Sequence, residues 1–266
     1  MRHANRSFWI SCVLGGAYLA LTLVLSLLLG WMGLLFCAMV FIVIPQIVIA
    51  MFTRAASRLL KLRRPTDDEI ERLNKILELL DLDLGPEDVL IMISPEPVPT
   101  AGILSTTARI PHMFVTDLML EKCSDQQIAV SIAHELGRFY SKDRIMTRFI
   151  LTPTRFFMRL LLVPNKYGPI GRMITRTLRR AFLPLEYLWA LANRKREFCA
   201  DSYTVVAGCD YEVFCGLMHL LLDEFEQREG QIGRKPFQRD REGPLRTHPT
   251  ITERMEHVHA LTRNPA

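Results

Sequence analysis

The strongest constraint on this chain is a run without any charged side chain from Phe8 to Thr53. One helix that spans a bilayer needs about 20 apolar residues, so the run is long enough for two. A turn over residues 30–33 would divide it. A cleaved signal peptide is the rival interpretation because Arg2 and Arg6 precede the run, but the run is too long and no cleavage-site pattern follows it. The sequence therefore predicts an N-terminal transmembrane helical hairpin over residues 1–53.

The distribution of basic residues predicts how this hairpin is oriented. Two arginines precede the first span, the connecting turn carries no charge, and a basic linker over residues 54–64 follows the second span. The basic residues of that linker are Arg54, Arg58, Lys61, Arg63 and Arg64. Because positive charge is retained on the cytoplasmic side, we expect a multi-pass membrane protein with two spans, in contact with the lipid bilayer and with both termini in the cytoplasm.

Residues 65–266 form a single cytoplasmic domain in this interpretation, because 266 residues suffice for one sizeable core beside a membrane anchor. Capping boxes of Thr66 with Glu69 and Ser124 with Gln127 predict helix starts. The first helix has an apolar stripe of Ile70, Leu73, Leu77 and Leu80. The second is expected to end near Arg148. Short apolar runs at 89–93, 103–104 and 113–115 predict a small sheet, with Pro111 confining the last run to an edge or a bulge. A short helix would follow, capped by Thr116 and ending at Glu121.

The second half of the domain is predicted to be helical as well. One helix carries residues 194–201, and Asp210 opens another with Val213, Leu217 and Leu221 on its buried face. Residues 227–246 are polar and predict a long loop, and Thr250 with Glu253 caps a last helix. The fold class is therefore α+β, predominantly helical, with a small β-sheet.

Residues 148–193 alternate apolar patches with arginines, and no apolar run among them is long enough to span a bilayer. This pattern is typical of a basic amphipathic segment that lies on an anionic membrane surface. An ordinary solvated arginine face over the core is the alternative.

The first chemical signal is His134-Glu135, followed by Arg138. In an H-E-x-x-H helix, two histidines four positions apart bind Zn²⁺ and the glutamate activates a water. Arg138 occupies the position of the second histidine here. His134-Glu135 alone is a weak signal, because the dipeptide is common and a helical histidine often only packs or faces water.

The second signal is Glu197 with Asp201, which lie one helical turn apart. Such pairs often mark a solvated face. A zinc peptidase of this general kind, however, takes a third ligand from a glutamate on a later helix, and an Asp one turn further can hold a ligand histidine by its other ring nitrogen. The combination of both signals in one chain makes a metallopeptidase-like site the stronger interpretation.

Taken together, these features resemble the HtpX-type membrane metallopeptidases, a family that includes the CAAX prenyl proteases. The matching features are the apolar N-terminus, the two signals above, and Thr247-His248-Pro249 followed by Arg254. The resemblance implies a zincin-like core with zinc held by His134, a second histidine and Glu197. It implies that Glu135 is the general base, that Asp201 supports His134, and that His248 lies near the scissile carbonyl and stabilises the oxyanion.

The chain departs from this family at three places. Arg138 replaces a zinc ligand, and a guanidinium has no acceptor with which to coordinate a cation. The family's Asn-Ala-Phe segment, which hydrogen-bonds extended substrate, is absent near residues 100–102. The segment 148–193 is too charged to span a membrane, as it does in many relatives.

Two interpretations of Arg138 remain open. Its guanidinium could replace the metal by pairing with the acidic residues of the site, so that the fold survives and hydrolysis fails. Alternatively, Arg138 swings aside and His248 or His112 completes the zinc site. The cofactor is zinc if the site is active, and none if it is not.

These observations predict a membrane-bound zinc metalloendopeptidase homologue whose activity is impaired by Arg138. The alternatives are an inactive pseudoprotease that binds polypeptides or regulates a partner, and a membrane-surface scaffold that acts through its arginine-rich segment. The sequence contains no Gly-rich phosphate loop that would predict a nucleotide ligand. It also contains no basic-aromatic pattern that would predict nucleic-acid binding. The six cysteines contain no C-x-x-C pair, which argues against a disulfide framework or a cysteine zinc site.

Overall fold

The structure is a computed structural model that describes residues 60–105, 110–141, 189–231 and 248–263, with four single positions at 24, 30, 32 and 187. The predicted hairpin apart from three single positions, residues 54–59 of the linker and most of the segment 148–193 lie outside the described residues. Within the described residues, no helix combines the length and the apolar character that a membrane span requires.

The chain divides into two compact units, and the unit that carries the predicted site consists of Phe52–Ser141, Arg196–Arg241 and His248–Ala266. The other unit consists of Met1–Met51, Lys142–Lys195 and Glu242–Thr247, and its described residues are helical. In the first unit, the described residues are mostly helical and include one small sheet.

The sheet has three strands, β1 (Leu90–Ser94), β2 (Ala101–Ser105) and β3 (His112–Thr116), in the order β1-β3-β2. β1 pairs with β3 in parallel, and β2 pairs with β3 in antiparallel register. Pro111 was expected to confine the third run to an edge or a bulge. The edge is wrong, because β3 is the central strand of the described sheet. A shift in register does occur between Ile103 and Ser105 of β2, opposite the first residues of β3. Pro111 precedes β3 and its carbonyl accepts from Leu90 N at 3.0 Å, so its missing N–H interrupts no ladder.

The helices of this unit follow the predicted caps closely. They are α1 (Asp67–Glu78), α2 (Asp117–Lys122), α3 (Asp125–Tyr140), α4 (residues 189–206, of which 196–206 belong to this unit), α5 (Tyr211–Gln231) and α6 (Ile251–Arg263). The capping boxes of α1 and α3 are both formed. Thr250 and Glu253 make the same reciprocal pair of hydrogen bonds at the start of α6.

Two predicted boundaries are wrong. α3 ends at Tyr140 instead of near Arg148, because Ser141 has a non-helical backbone conformation and its hydroxyl donates to Arg138 O at 3.2 Å. α5 continues to Gln231, so residues 227–231 are helix and not loop. Gln, Arg and Glu are good helix formers, and their polarity alone does not end a helix.

The core lies between the sheet, α1, α3 and α5. Its fully buried members include Ile76, Ile93, Met113, Val115, Ile128, Ile132, Leu136, Phe214 and Leu217. The stripe predicted for α1 is correct at Leu73, Leu77 and Leu80, but Ile70 is exposed and Ile76 takes its place in the core. β2 and α3 pack against each other, which puts the site helix beside an edge of the sheet.

Residues 60–64 belong to the folded unit, although the sequence predicted a linker there. Arg63 pairs with Ile93 through two backbone hydrogen bonds of 2.9 Å. The Arg63 guanidinium donates to both carboxylate oxygens of Glu69, at 2.6 and 2.7 Å, and to Asp117 Oδ1 at 2.5 Å. This arginine therefore ties the chain entering the unit to α1 and α2.

We expect Arg63→Gln to reduce stability at neutral pH by about 1 kcal/mol, since the pairs it removes are partly exposed. The hydrogen bonds from Arg63 lower the pKa of Glu69 to about 2. The stability that they contribute to the folded protein is therefore fully present above the ordinary carboxyl pKa, and it is lost as the pH falls towards about 2. The loss of stability between neutral pH and about pH 3 should be smaller in Arg63→Gln, measured by urea unfolding.

Lys75→Gln is the matched control, because it removes an exposed pair with Glu71 on the same helix. An acid dependence in Arg63→Gln equal to that of the unchanged chain would contradict the prediction.

Candidate functional site

The site begins on α3, whose position along the chain is set by the Ser124–Gln127 capping box. From this start, His134 and Arg138 lie one turn apart on the same face, and Glu135 lies three residues before Arg138. The Glu135 side chain is 8% exposed and the Arg138 side chain is 30% exposed. The helix thus presents one imidazole, one carboxylate and one guanidinium side by side.

The facing residues come from α4, where Glu197 and Asp201 are one turn apart and both are buried. The two helices approach very closely at Gly137. A Cβ atom at Gly137 would lie 2.6 Å from the Tyr203 Cβ and 3.0 Å from the Ala200 Cα. This absence of a side chain lets the carboxylates of α4 reach the side chains of α3.

Asp201 and His134 make the shortest contact between these two helices at the site. Asp201 Oδ1 lies 2.8 Å from His134 Nδ1, a normal hydrogen-bond distance. The other ring nitrogen, Nε2, lies 3.5 Å from Glu197 Oε2. His134 is therefore held by Asp201 on one side and faces Glu197 on the other.

Arg138 lies between the two glutamates. Its Nη1 donates to Glu135 Oε1 at 3.0 Å, and its Nη2 lies 3.6 Å from Glu197 Oε1, within ion-pair range but beyond a good hydrogen bond. The sequence left two interpretations of Arg138 open. This geometry agrees with the first, in which the guanidinium pairs with the acidic residues of the site.

The two histidines considered as substitute ligands lie in different places. His248 is 59% exposed at its side chain, and its Nδ1 lies 3.7 Å from Glu197 Oε1. His112 begins β3, and no hydrogen bond or ion pair between described residues joins it to the site. Between these two histidines of the described residues, the structure thus brings only His248 within ion-pair range of Glu197.

The buried charges of the site influence one another strongly. Burial alone would raise the pKa of Glu197, but the imidazoles of His134 and His248 and the Arg138 guanidinium lower it far below its usual range. Burial likewise disfavours the charged form of His134, while Asp201 and Glu197 raise its pKa to a larger extent. For Asp201, the penalty of burial is outweighed by Arg254, and its pKa is lowered. Both carboxylates are therefore ionised at neutral pH.

Two donor atoms of the site are spaced as zinc requires. His134 Nε2 and Glu197 Oε2 are 3.5 Å apart, close to the about 3.4 Å between two ligands of one tetrahedral zinc. The third protein ligand is missing from α3, and a guanidinium lies against Glu197 instead. Among the described residues, no three His, Cys, Asp or Glu side chains are grouped so as to hold a metal ion. The site as arranged does not fit zinc.

Five of the residues predicted from the sequence therefore lie within one cluster: His134, Glu135, Arg138, Glu197 and Asp201. His248 lies at its exposed margin. Their catalytic and metal-binding roles stay predictions.

Arg254 belongs to the motif that begins at His248, but no role was predicted for it. Its Nη2 contacts both Asp201 Oδ1 and His134 Nδ1.

Comparison with known proteins shows where this chain belongs. The family profile described as "Peptidase family M48" matches residues 70–262. The fold is similar to that in the crystal structure of Ste24p from S. mikatae, with a TM-score of 0.54 and 18% sequence identity. That alignment covers 92% of this chain and 62% of the other, so the chain spans less than two thirds of that protein. No curated protein matches the sequence.

We expect Gly137→Ala to destabilise the protein by about 1–3 kcal/mol, because the new methyl group meets backbone atoms of α4 that cannot move aside independently. Gly216→Ala on α5 is the control, since its added methyl meets only the end of the flexible Gln127 side chain, at 3.3 Å, and alanine favours a helix. Urea unfolding of both variants tests this. Equal stability of the two variants would show that the close approach of α3 and α4 is not required.

Proposed function

The chain belongs to peptidase family M48, and from this premise we propose that it is a membrane-bound member that binds polypeptide but hydrolyses peptide bonds poorly or not at all. One observation carries the proposal. The Arg138 guanidinium lies between Glu135 and Glu197. In the sequence, Arg138 occupies the position at which the H-E-x-x-H pattern has its second histidine.

The chemical reason lies in what a guanidinium cannot do. Zinc supplies peptide hydrolysis with a water of lowered pKa and with a Lewis acid for the carbonyl oxygen. A guanidinium neutralises the glutamates but has no vacant coordination position and does not lower the pKa of a water in this way. Glu135 Oε1 also accepts a hydrogen bond from Arg138 Nη1, so its carboxylate is engaged before any water or peptide arrives.

Polypeptide binding is supported by the sheet beside the site. In the described sheet, β2 lies at an edge and packs against α3. An edge strand offers unpaired backbone N–H and C=O groups, with which an extended peptide forms hydrogen bonds. This surface does not depend on a metal ion, so it is retained when hydrolysis is lost.

Attachment to the membrane is supported by the charge-free run from Phe8 to Thr53 and by the basic residues on both sides of it. In this proposal the hairpin anchors the protein in the bilayer with both termini in the cytoplasm. The polypeptides that meet the site are then those exposed at the cytoplasmic face of the membrane.

The experiment is metal analysis and casein cleavage with detergent-purified protein. We expect the unchanged chain to hold no stoichiometric zinc and to leave casein intact. Arg138→His supplies the missing ligand next to two donors already spaced for zinc, so it should gain zinc and increase cleavage by more than about 10–100-fold. The double variant Arg138→His/Glu197→Ala is the control and should lose both properties.

The contrary outcome is equally specific. If the unchanged chain holds stoichiometric zinc that is lost in both Glu197→Ala and His248→Ala, then His248 completes a working metal site and the proposed loss of hydrolysis is wrong. His248→Ala is included because His248 Nδ1 lies only 3.7 Å from Glu197 Oε1.

A further inference from the structure

Arg254 enters the site from a third helix, and the proposed chemistry assigns it no task. Its side chain is 17% exposed, while that of its partner Asp201 is fully buried. The guanidinium carbon lies 5.8 Å from the ring centre of Phe214, which is itself buried. An arginine in such a place is costly to desolvate unless its donors are satisfied, so its contacts indicate what it is there to hold.

Those contacts form a fork on Asp201. Arg254 Nε donates to Oδ2 at 2.8 Å and Nη2 donates to Oδ1 at 2.5 Å. Two parallel hydrogen bonds of this kind fix the plane of a carboxylate as well as its position. A single ammonium would fix the position only.

The orientation of Asp201 decides the orientation of His134. With Oδ2 and one side of Oδ1 engaged by Arg254, the remaining acceptor site of Oδ1 faces His134 Nδ1 at 2.8 Å. A carboxylate oxygen only accepts, so the proton of this hydrogen bond lies on Nδ1. The other ring nitrogen, Nε2, faces Glu197 Oε2 at 3.5 Å.

One contact of Arg254 acts in the opposite sense and favours the other tautomer of the imidazole. Its Nη2 lies 3.2 Å from His134 Nδ1, where it could donate to an unprotonated nitrogen. The contact between Nδ1 and Asp201 Oδ1 is shorter, and it places a full negative charge next to the N–H. The tautomer with the proton on Nδ1 is therefore favoured. Without the fork, Asp201 could rotate and both forms of the imidazole would become accessible.

We propose that Arg254 is the positioning residue of this site: it holds Asp201 in one plane and, through Asp201, sets the orientation and the tautomer of His134. The inference rests on the proposed function in treating His134 as a residue of the functional site. It does not rest on the loss of hydrolysis, because the fork is independent of Arg138.

The local sequence explains how Arg254 reaches the fork. Thr250 and Glu253 cap α6 and fix where it starts, and Arg254 N donates to Thr250 O at 3.1 Å. The capping pair therefore places Arg254 in the first turn of the helix, with its side chain directed at Asp201. His248 lies just before the same cap, so one helix start brings two side chains to the site.

The first measurement is the ¹⁵N spectrum of the full-length protein labelled at histidine, with the His134 signals assigned by their loss in His134→Ala. At a pH where the imidazole is neutral, we expect one tautomer with the proton on Nδ1. Arg254→Gln should convert a measurable fraction to the tautomer with the proton on Nε2, and Arg254→Lys should give an intermediate result because it keeps the charge without the fork.

The second measurement uses the Arg138→His background, in which zinc affinity reports how well His134 is held. Adding Arg254→Gln should weaken zinc binding by about 10–100-fold, the usual loss when the group behind a ligand histidine is removed. Arg63→Gln is the matched control. It also removes an arginine bound to two carboxylates, Glu69 and Asp117, but leaves the site untouched. It should change neither the His134 spectrum nor the zinc affinity.

A folded Arg254→Gln protein with an unchanged His134 spectrum would overturn the inference. If Arg254→Gln does not fold, Arg254→Lys decides, and a spectrum identical to that of the unchanged chain would show that the fork has no positioning role. Failure of Arg138→His to bind zinc would count against the proposed function alone, because the spectrum is recorded on the chain with Arg138 in place.

Discussion

Buried carboxylates need nearby positive charge, and this requirement governs the site. Glu135, Glu197 and Asp201 are 6%, 4% and 0% exposed, and ionised groups so placed are unfavourable by several kcal/mol each unless they are paired. Arg138 and Arg254 bring two positive charges, and the raised pKa of His134 favours a third. A zinc ion would bring two charges by itself. One guanidinium and one proton can supply the same total without any metal.

The same requirement links the site to the fold. The three carboxylates come from α3 and α4, which meet at Gly137, and the cations that face them come from α3 and α6. Removing one charge would leave its partner buried and unpaired, which is more costly than never having formed the pair. The packing of three helices therefore depends on the residues of the motif independently of catalysis.

Much of this arrangement could be predicted from local sequence, because caps and spacing act over a few residues. The capping residues fix the starts of α1, α3 and α6, and the four-residue spacing of Glu197 and Asp201 places both on one face. The exposure of Ile70, the central place of β3 and the end of α3 at Tyr140 depend on tertiary contacts that no local pattern contains. The contacts of Arg254 could not be predicted for the same reason, because its partners lie 53 and 120 residues away in the chain.

The surroundings of Glu197 Oε1 show that the guanidinium does not replace the coordination by a metal ion. Among the described residues, Glu197 Oε1 is buried without a hydrogen-bond partner, although Arg138 Nη2 and His248 Nδ1 approach it to 3.6 and 3.7 Å. A metal ion binds an oxygen at about 2.0–2.2 Å and draws its ligands to a common point. The planar guanidinium is held by its stem and by Glu135, so it neutralises Glu197 from a distance and leaves the acceptor unsaturated. Charge is balanced in this site while coordination is not, and hydrolysis of a peptide bond depends on coordination.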